Sequence, residues 1–225
     1  MLILSDKIRN IYPEASLGLL VINNVYNPDH HEKLQGCKIE LEKDLRGKYL
    51  KLEKSYLKNL KPIKFYVEYY RKFKKTYHVL LQLESIVFKD KSIPSVASLV
   101  EAMFMAEMKN LLLTAGHDLD SLKLPIKSDI AKGNEKYTQI TGQEKILIKD
   151  DMFVSDEQGI ISSIIYGPDK RTRIKADTKN VLFVVYAPPG IDKSEVLKHL
   201  NDIQYYVNIV SPDSKTKVLD AYSVK

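Results

Sequence analysis

Hydrophobic spacing along the first part of the chain predicts a strand followed by a helix. The β-branched and leucine-rich run at residues 15–25 predicts a buried strand that ends in a turn. From about residue 29 to 61, apolar positions recur three and four residues apart, which predicts a helix broken at Gly47. The chain therefore begins with both kinds of secondary structure.

The most regular amphipathic segment covers residues 95–116 and predicts a core helix. Ser95 and Ser98 are both candidate N-caps, and Ser98 has Glu101 at the spacing of a capping box. Gly116 stands where a C-terminal cap is expected. The broad apolar face is typical of a helix that packs in a core.

After residue 116 the pattern changes to short apolar segments separated by Gly, Asp and Pro. They read PIKSDIA, KYTQITG, KILIKD, MFVSD, GIISSIIYG and NVLFVVYAP. Six short strands at this spacing predict a mixed or antiparallel sheet or a partial barrel. A last helix is predicted to begin at Asp192, with Glu195 at capping-box spacing. Because no linker divides the chain, we expect residues 1–225 to form a single compact α+β domain.

Composition is that of an ordinary globular protein, with 44% hydrophobic and 28% charged residues among 225. Cys37 is the single cysteine, so an internal disulfide and a CxxC metal site are both excluded. No apolar run is long enough to cross a bilayer, and the chain start is too polar for a signal peptide. We expect a cytoplasmic location.

The chain carries a net charge of +6, and residues 58–77 are rich in both basic and aromatic side chains. Two interpretations of this segment are open. One reading is a surface that binds phosphates and stacks bases. The other, which helical spacing favours, is a buried aromatic stripe with Lys64, Arg71 and Lys75 on the opposite, solvated face. The stripe comprises Tyr66, Tyr69, Tyr70, Phe73 and Tyr77.

Two polar clusters are the candidates for chemistry, because GxGxxG, GxxxxGK[ST], HExxH and GxSxG motifs are all absent. The first is AGHDLDSL, with His117, Asp118 and Asp120 expected at the end of the core helix. The second is the charged turn of a predicted hairpin, at residues 169–173. Spacing alone favours acidic residues that brace a turn over acidic residues that act in a site.

The order of these segments resembles a known family. YYRKFKK, AGHDLDSL, SDIAKGNEKYTQITGQE, DEQGI and YGPDKRTRIKADTKNVLF together resemble the editing module of the bacterial phenylalanyl-tRNA synthetase β subunit, formed by its third and fourth domains. The similarity to the freestanding relatives of that module is greater, and it extends from about residue 8 to 210. It implies a compact α+β fold with β/β/α layering, and hydrolysis of wrongly charged aminoacyl-tRNA in trans.

The resemblance also implies roles for individual residues, although two positions of this chain differ from the synthetase pattern. Ala115 stands where the synthetase has a histidine, and Asp169 with Lys170 stands where it has a glutamate. The freestanding relatives carry an Arg-Thr pair that matches Arg171 and Thr172. The resemblance implies the following catalytic set: His117 as a base, Asp118 or Asp169 for the α-ammonium, Arg171 for phosphate or oxyanion charge, and Thr172 for the water or carbonyl.

The function implied in this way is that of an aminoacyl-tRNA deacylase that uses no metal or organic cofactor. The tRNA would be bound by basic side chains, namely Lys64, Arg71, Lys72, Lys75, Lys170 and Arg173. Two other classes stay open at this point. One is a tRNA-binding module with the same fold and no chemistry, and the other is a protein that binds a small molecule in the same pocket.

Overall fold

The computed structural model describes residues 2–223, which adopt the α+β fold that the sequence predicts. The helices are α1 (Asp6–Ile11), α2 (Glu32–Tyr49), α3 (Lys61–Lys72), α4 (His78–Phe88), α5 (Ser98–Asn110) and α6 (Lys193–Val210), with 3₁₀ turns at Lys54–Asn59 and Leu119–Ser121. The strands are β1 (Leu2–Leu4), β2 (Ser16–Asn23), β3 (Leu113–Asp118), β4 (Ile126–Ile130), β5 (Lys136–Thr138), β6 (Glu144–Ile146), β7 (Met152–Asp156), β8 (Gly159–Ser163), β9 (Gly167–Pro168), β10 (Asn180–Ala187) and β11 (Lys215–Ser223).

The strands form two main sheets and one small hairpin. A five-stranded sheet has the order β1-β4-β7-β8-β9, and a four-stranded sheet has the order β11-β2-β10-β3. Only the β1–β4 pair is parallel among the described strand pairs, and β5 pairs with β6 as a separate ribbon. The predicted mixed sheet is therefore confirmed, although it is divided between two sheets.

The four-stranded sheet lies between the other sheet and a helical layer. Successive side chains of a strand point to opposite faces, and Thr114 of β3 reaches His199 of α6 at 2.7 Å. On the other face, Tyr186 of β10 is 2.7 Å from Ser162 of β8. At Gly18 a Cβ atom would lie 2.5 Å from the Val196 side chain, so glycine lets α6 approach the sheet. The layering is β/β/α, as predicted.

The tyrosines of the aromatic stripe are buried, as the helical spacing favoured, whereas Phe73 is half-buried. The stripe is not one helix, because α3 ends at Lys72 and Tyr77 precedes α4. Tyr69 donates to Asp151 at 2.7 Å, Tyr70 donates to the Ile164 carbonyl at 2.8 Å, and Tyr66 donates to the Tyr186 carbonyl. The buried hydroxyls thus find partners in β10 and in the residues that flank β7 and β8, which fixes α3 against both sheets. Lys64, Arg71 and Lys75 are exposed, also as predicted.

Two helix boundaries were predicted wrongly. Gly47 does not break its helix, which continues to Tyr49, because a glycine costs only about 1 kcal/mol against the burial of Leu45 and Tyr49. The predicted helix 95–116 ends at Asn110, where Leu111 takes a left-handed conformation with φ 62°. Its last six predicted residues lie in or next to β3, so Gly116 is not a cap.

The N-terminal cap of α5 also differs from the prediction. The N-cap residue is Ala97, and the Ser98 hydroxyl donates to the Pro28 carbonyl at 2.8 Å instead of capping the helix. The free amide of Leu99 is satisfied by the Asn27 side chain at 2.9 Å. At the other end of the chain, the predicted capping box of Asp192 and Glu195 is present.

The predicted hairpin around the charged turn is not a hairpin. β8 and β9 belong to the five-stranded sheet, whereas β10 belongs to the four-stranded sheet, so the segment between them crosses from one sheet to the other. Single bridges tie it to β3, between Arg173 and His117, and to the residue after β5, between Asp169 and Gln139. The crossing brings both candidate polar clusters to one place.

Candidate functional site

The segment that crosses between the sheets comprises residues 169–179 and is called the crossing segment below. Asp169 organises it from within. One of its carboxylate oxygens accepts hydrogen bonds from the Thr172 amide at 3.0 Å and from the Thr172 hydroxyl. The other accepts from the Arg171 amide at 3.2 Å. Burial raises the pKa of Asp169, and the hydrogen bonds from Thr172 oppose that shift. Asp169 is therefore buried, with both oxygens bonded inside the segment, and is poorly placed to bind the ammonium group of a ligand.

His117 is fully buried in β3 and contacts this segment directly. Its Nδ1 is 2.8 Å from the Thr172 hydroxyl, and its Nε2 is 3.2 Å from the Ser162 hydroxyl. Because the Thr172 hydroxyl donates to Asp169, it accepts from Nδ1–H, which leaves Nε2 as an acceptor. Burial, with the nearby Arg171 charge, lowers the pKa of His117 to about 3. The imidazole is therefore neutral at neutral pH and has both nitrogens occupied.

Asp118 braces the turn that follows β3, and Asp120 connects this turn to β10. Asp118 accepts from the amides of Asp120 and Ser121 at 3.0 and 3.3 Å, and from the Thr178 hydroxyl at 2.9 Å. Asp120 accepts two hydrogen bonds from the Asn180 side chain, at 3.0 and 2.9 Å. Asp118 therefore has the local bonding that the turn-bracing interpretation describes. Asp120 is instead bonded to the first residue of β10.

Arg171 is bound to a carboxylate that the sequence did not point to. Its guanidinium donates to both oxygens of Asp156, at 2.8 and 3.0 Å, and also to the Ser121 carbonyl at 2.9 Å. Burial alone would raise the pKa of Asp156, but hydrogen bonds from Arg171 and from backbone amides hold it below its usual value. The pair fastens the β7–β8 turn to the crossing segment.

A cavity of about 430 Å³ lies beside this cluster, at the edge of the four-stranded sheet. β3 is the last strand of that sheet, and the cavity is enclosed by β3, α5 and the segment around β9. Apolar side chains such as Val100, Met103 and Ile174 form most of the wall. Its volume falls in the range of pockets that bind small ligands.

The predicted catalytic residues do not line this cavity, but their chain neighbours do. Gly116 and Pro168 are on the wall, next in sequence to His117 and Asp169. A Cβ at Gly116 would lie 2.7 Å from the Ile174 side chain, so β3 and the segment that contains Ile174 approach closely there. The polar cluster therefore lies behind the wall and fixes its position.

The polar groups that do line the cavity were missed by sequence reasoning. They include Glu107, Thr114, Gln139, Ser163 and Tyr186. Burial raises the pKa of Glu107 to about 8, although the Thr114 amide opposes the shift with a hydrogen bond at 2.7 Å. One signal was present in the sequence, because Glu107 occupies the apolar face of the predicted core helix.

The predicted tRNA-binding residues occupy two places on the surface. On α3 and just after it, Lys64, Arg71, Lys72 and Lys75 are exposed, and Lys72 also lies over the Tyr12 ring at 4.6 Å. In the crossing segment, Lys170 is exposed, and the half-buried Arg173 donates to the Lys170 carbonyl at 2.7 Å. The second group adjoins the cavity through the bridge of Asp169 to Gln139.

Within residues 2–223, no cluster of three or more His, Cys, Asp or Glu side chains has the arrangement of a metal site. None of the helices in that range combines the length and the apolar character that crossing a membrane requires.

Together these features define an α+β domain with β/β/α layering, whose cavity at the sheet edge is backed by a buried polar cluster. Residues 63–209 match the B3/4 domain family, and because this is more than half of the chain, the chain belongs to that family. No curated protein was found to match it.

A solved structure shows the same fold. It is an N-terminal fragment of the phenylalanyl-tRNA synthetase β subunit from Pyrococcus horikoshii, with a TM-score of 0.52 and 14% sequence identity. The match covers 96% of this chain and 50% of that chain, so this chain spans about half the length of the fragment. The predicted resemblance to the synthetase β subunit is confirmed in family and fold.

Proposed function

We propose that the protein hydrolyses the ester bond of mischarged aminoacyl-tRNA, acting in trans on tRNA that another enzyme has charged. The observation that carries this proposal is a ligand-sized cavity with apolar walls and a few polar groups, set in a B3/4 domain. Water adds to the ester carbonyl, the ester C–O bond breaks, and free amino acid and tRNA with a free terminal hydroxyl are released.

The reaction does not require a strong nucleophile from the protein, because an aminoacyl ester is already activated. Positioning of a water molecule and hydrogen bonds to the developing oxyanion are sufficient contributions. Ser163 lies on the cavity wall, and its hydroxyl, which accepts from the Tyr166 amide at 3.1 Å, is proposed to orient such a water. The hydroxyls of Thr114 and Tyr186 are bonded to His199 and Ser162 on opposite faces of the sheet. This proposal needs no metal and no organic cofactor.

The buried cluster takes a different role from the one that the sequence suggested. His117 has a pKa of about 3 and both ring nitrogens bonded, so we propose that it positions Thr172 and β3 instead of acting as the base. Asp118, Asp169 and Arg171 are bonded to protein groups and are proposed as positioning residues. Their effect on the reaction would come through the wall segments at Gly116 and Ile174.

The tRNA backbone is proposed to bind the exposed basic residues. The set is Lys64, Arg71, Lys72, Lys75, Lys170 and Arg173. Phosphate contacts release counterions, so binding should weaken steeply with salt, and each contact removed should lower the slope by about one.

The test is deacylation of a panel of correctly and wrongly charged tRNAs by the purified protein, with and without EDTA. Val100 is half-buried on the cavity wall, so Val100→Trp should fill the cavity and abolish turnover. Val67 is also half-buried on a helix but lies off that wall, and Val67→Trp is the matched control that should stay active. Equal activity of both variants and the wild type would show that the cavity is not the site.

A second candidate is a tRNA-binding module without chemistry. It is favoured by one observation, that the charged groups of the predicted catalytic set are all bonded within the protein. Salt-dependent tRNA binding with no turnover of any aminoacyl-tRNA would select this candidate. A ligand-binding protein of the third class would bind small molecules and show no salt-dependent binding of tRNA.

A further inference from the structure

Glu107 presents a carboxyl oxygen without a protein partner to the cavity. The residue lies on α5, is 2% exposed, and forms part of the cavity wall. One oxygen, Oε1, accepts the Thr114 amide at 2.7 Å. Within residues 2–223 the other oxygen, Oε2, has no hydrogen-bond partner. In this range, the fully enclosed side-chain atoms that lack a partner are Ser16 Oγ and Asn23 Oδ1. Oε2 of Glu107 is therefore not fully enclosed, and we infer that it contacts the cavity space.

The charge state of this carboxyl follows from its surroundings. No basic side chain acts on Glu107, and burial raises its pKa to about 8 against the opposing Thr114 amide. The carboxyl is therefore mostly neutral at pH 7. Since Oε1 is an acceptor, the proton is carried by Oε2, which makes Oε2–H a donor directed at the cavity space.

We propose that Glu107 is a specificity-determining residue, whose Oε2–H donates a hydrogen bond to an uncharged oxygen at the end of an otherwise apolar ligand side chain. The inference rests on the proposed function for its assumption that an aminoacyl group enters this cavity. Apolar walls accommodate the body of such a side chain, and the single donor identifies its end. An acidic ligand side chain is disfavoured, because the wall residues include no Lys or Arg, and burial lowers the pKa of His78 on the wall.

The test uses non-hydrolysable aminoacyl-adenosine amides in pairs that differ by one oxygen, valine with threonine and phenylalanine with tyrosine. Binding is measured by calorimetry to the full chain. For at least one pair, the oxygen-bearing member should bind the wild type about tenfold or more tightly than its partner. Glu107→Gln keeps an acceptor for the Thr114 amide and a donor for the ligand, so it should retain this preference. Glu107→Leu should reduce it to less than about threefold.

The pH dependence separates a ligand contact from a merely structural role. In the wild type the preference should decline as the pH rises from 7 to 9, because the ionised carboxyl has no proton to donate. In Glu107→Gln it should not change over this range. Loss of the preference in Glu107→Gln would show that a charged carboxylate is required, and would overturn the proposal. Absence of any preference in the wild type would overturn it as well.

Failure of this inference and failure of the proposed function give different results. If the paired ligands are discriminated through Glu107 but no aminoacyl-tRNA is hydrolysed, the specificity residue stands and the deacylase proposal fails. If mischarged tRNA is hydrolysed with the same substrate preference in wild type, Glu107→Gln and Glu107→Leu, the deacylase proposal stands and the role of Glu107 is refuted. Circular dichroism of each variant verifies that it is folded.

Discussion

Replacing Thr172 by valine removes the central hydroxyl of the buried polar cluster while keeping the shape of the side chain. The hydroxyl joins the Asp169 carboxylate on one side and His117 Nδ1 on the other. Thr172 is fully buried, so water cannot replace either bond. The variant therefore leaves a carboxylate with one fewer donor and an imidazole nitrogen without a partner.

The expected cost follows from these two lost bonds. A hydrogen bond to a charged group contributes about 1.5–3 kcal/mol, and a buried group left unsatisfied costs about 1–3 kcal/mol. Partial relaxation is expected, since the Thr172 amide still binds Asp169. We predict a decrease of about 3 kcal/mol in the free energy of unfolding, which corresponds to about 6–12 °C in Tm for a chain of this size.

Urea unfolding at pH 7, followed by circular dichroism, measures this change. Thr76→Val is the matched control, because Thr76 is exposed, and it should alter stability by less than about 0.5 kcal/mol. If Thr172→Val is no less stable than Thr76→Val, the hydroxyl does not connect Asp169 to His117 in solution. The positioning role assigned to the cluster would then be refuted.

Three further predictions concern the neighbouring contacts. Arg171→Met leaves Asp156 without its bidentate partner and should lower the free energy of unfolding by about 2 kcal/mol, which urea titration detects; an unchanged midpoint would contradict the pairing. Gly116→Val places a side chain against Ile174, so it should lower the free energy of unfolding by about 1–3 kcal/mol and impair deacylation. Urea titration and the deacylation assay measure the two effects, and full activity would contradict the close approach. Glu107 has an ordinary pKa of 4.5 and a folded pKa of about 8, so the unfolded chain releases this proton first as the pH rises. Wild-type stability should therefore fall relative to Glu107→Gln between about pH 5 and 8, by up to about 1.4 kcal/mol per pH unit; parallel stability profiles from urea titrations would contradict the buried carboxyl.

Much of the fold was predictable because it depends on local patterns. The short strands after residue 116, the capping box at Asp192 and the buried tyrosine stripe of α3 are all encoded in spacing over a few residues. The end of α5 was not predictable in this way. β3 is buried on both faces, so its apolar run has no period-2 alternation and continues the helical pattern of the residues before it.

The candidate site was predictable in part. The resemblance placed AGHDLDSL and the charged turn in one site, and the structure brings His117 within 2.8 Å of Thr172. Spacing could not show that Arg171 pairs with Asp156, because the two residues meet only when the crossing segment packs on the β7–β8 turn. The cavity wall was equally hidden, since it is assembled from a helix, a strand edge and the segment around β9.

A crystal structure with a non-hydrolysable aminoacyl-adenosine amide tests directly whether the cavity between α5 and β3 is the site. We predict that the aminoacyl side chain occupies this cavity, near Glu107 and beside Gly116. A second cavity of about 340 Å³ lies between α4 and the segment at residues 91–94, and shares His78 and Phe104 with the first. An aminoacyl group bound only in that second cavity, or no binding at millimolar concentration, would show that the cavity between α5 and β3 is not the site.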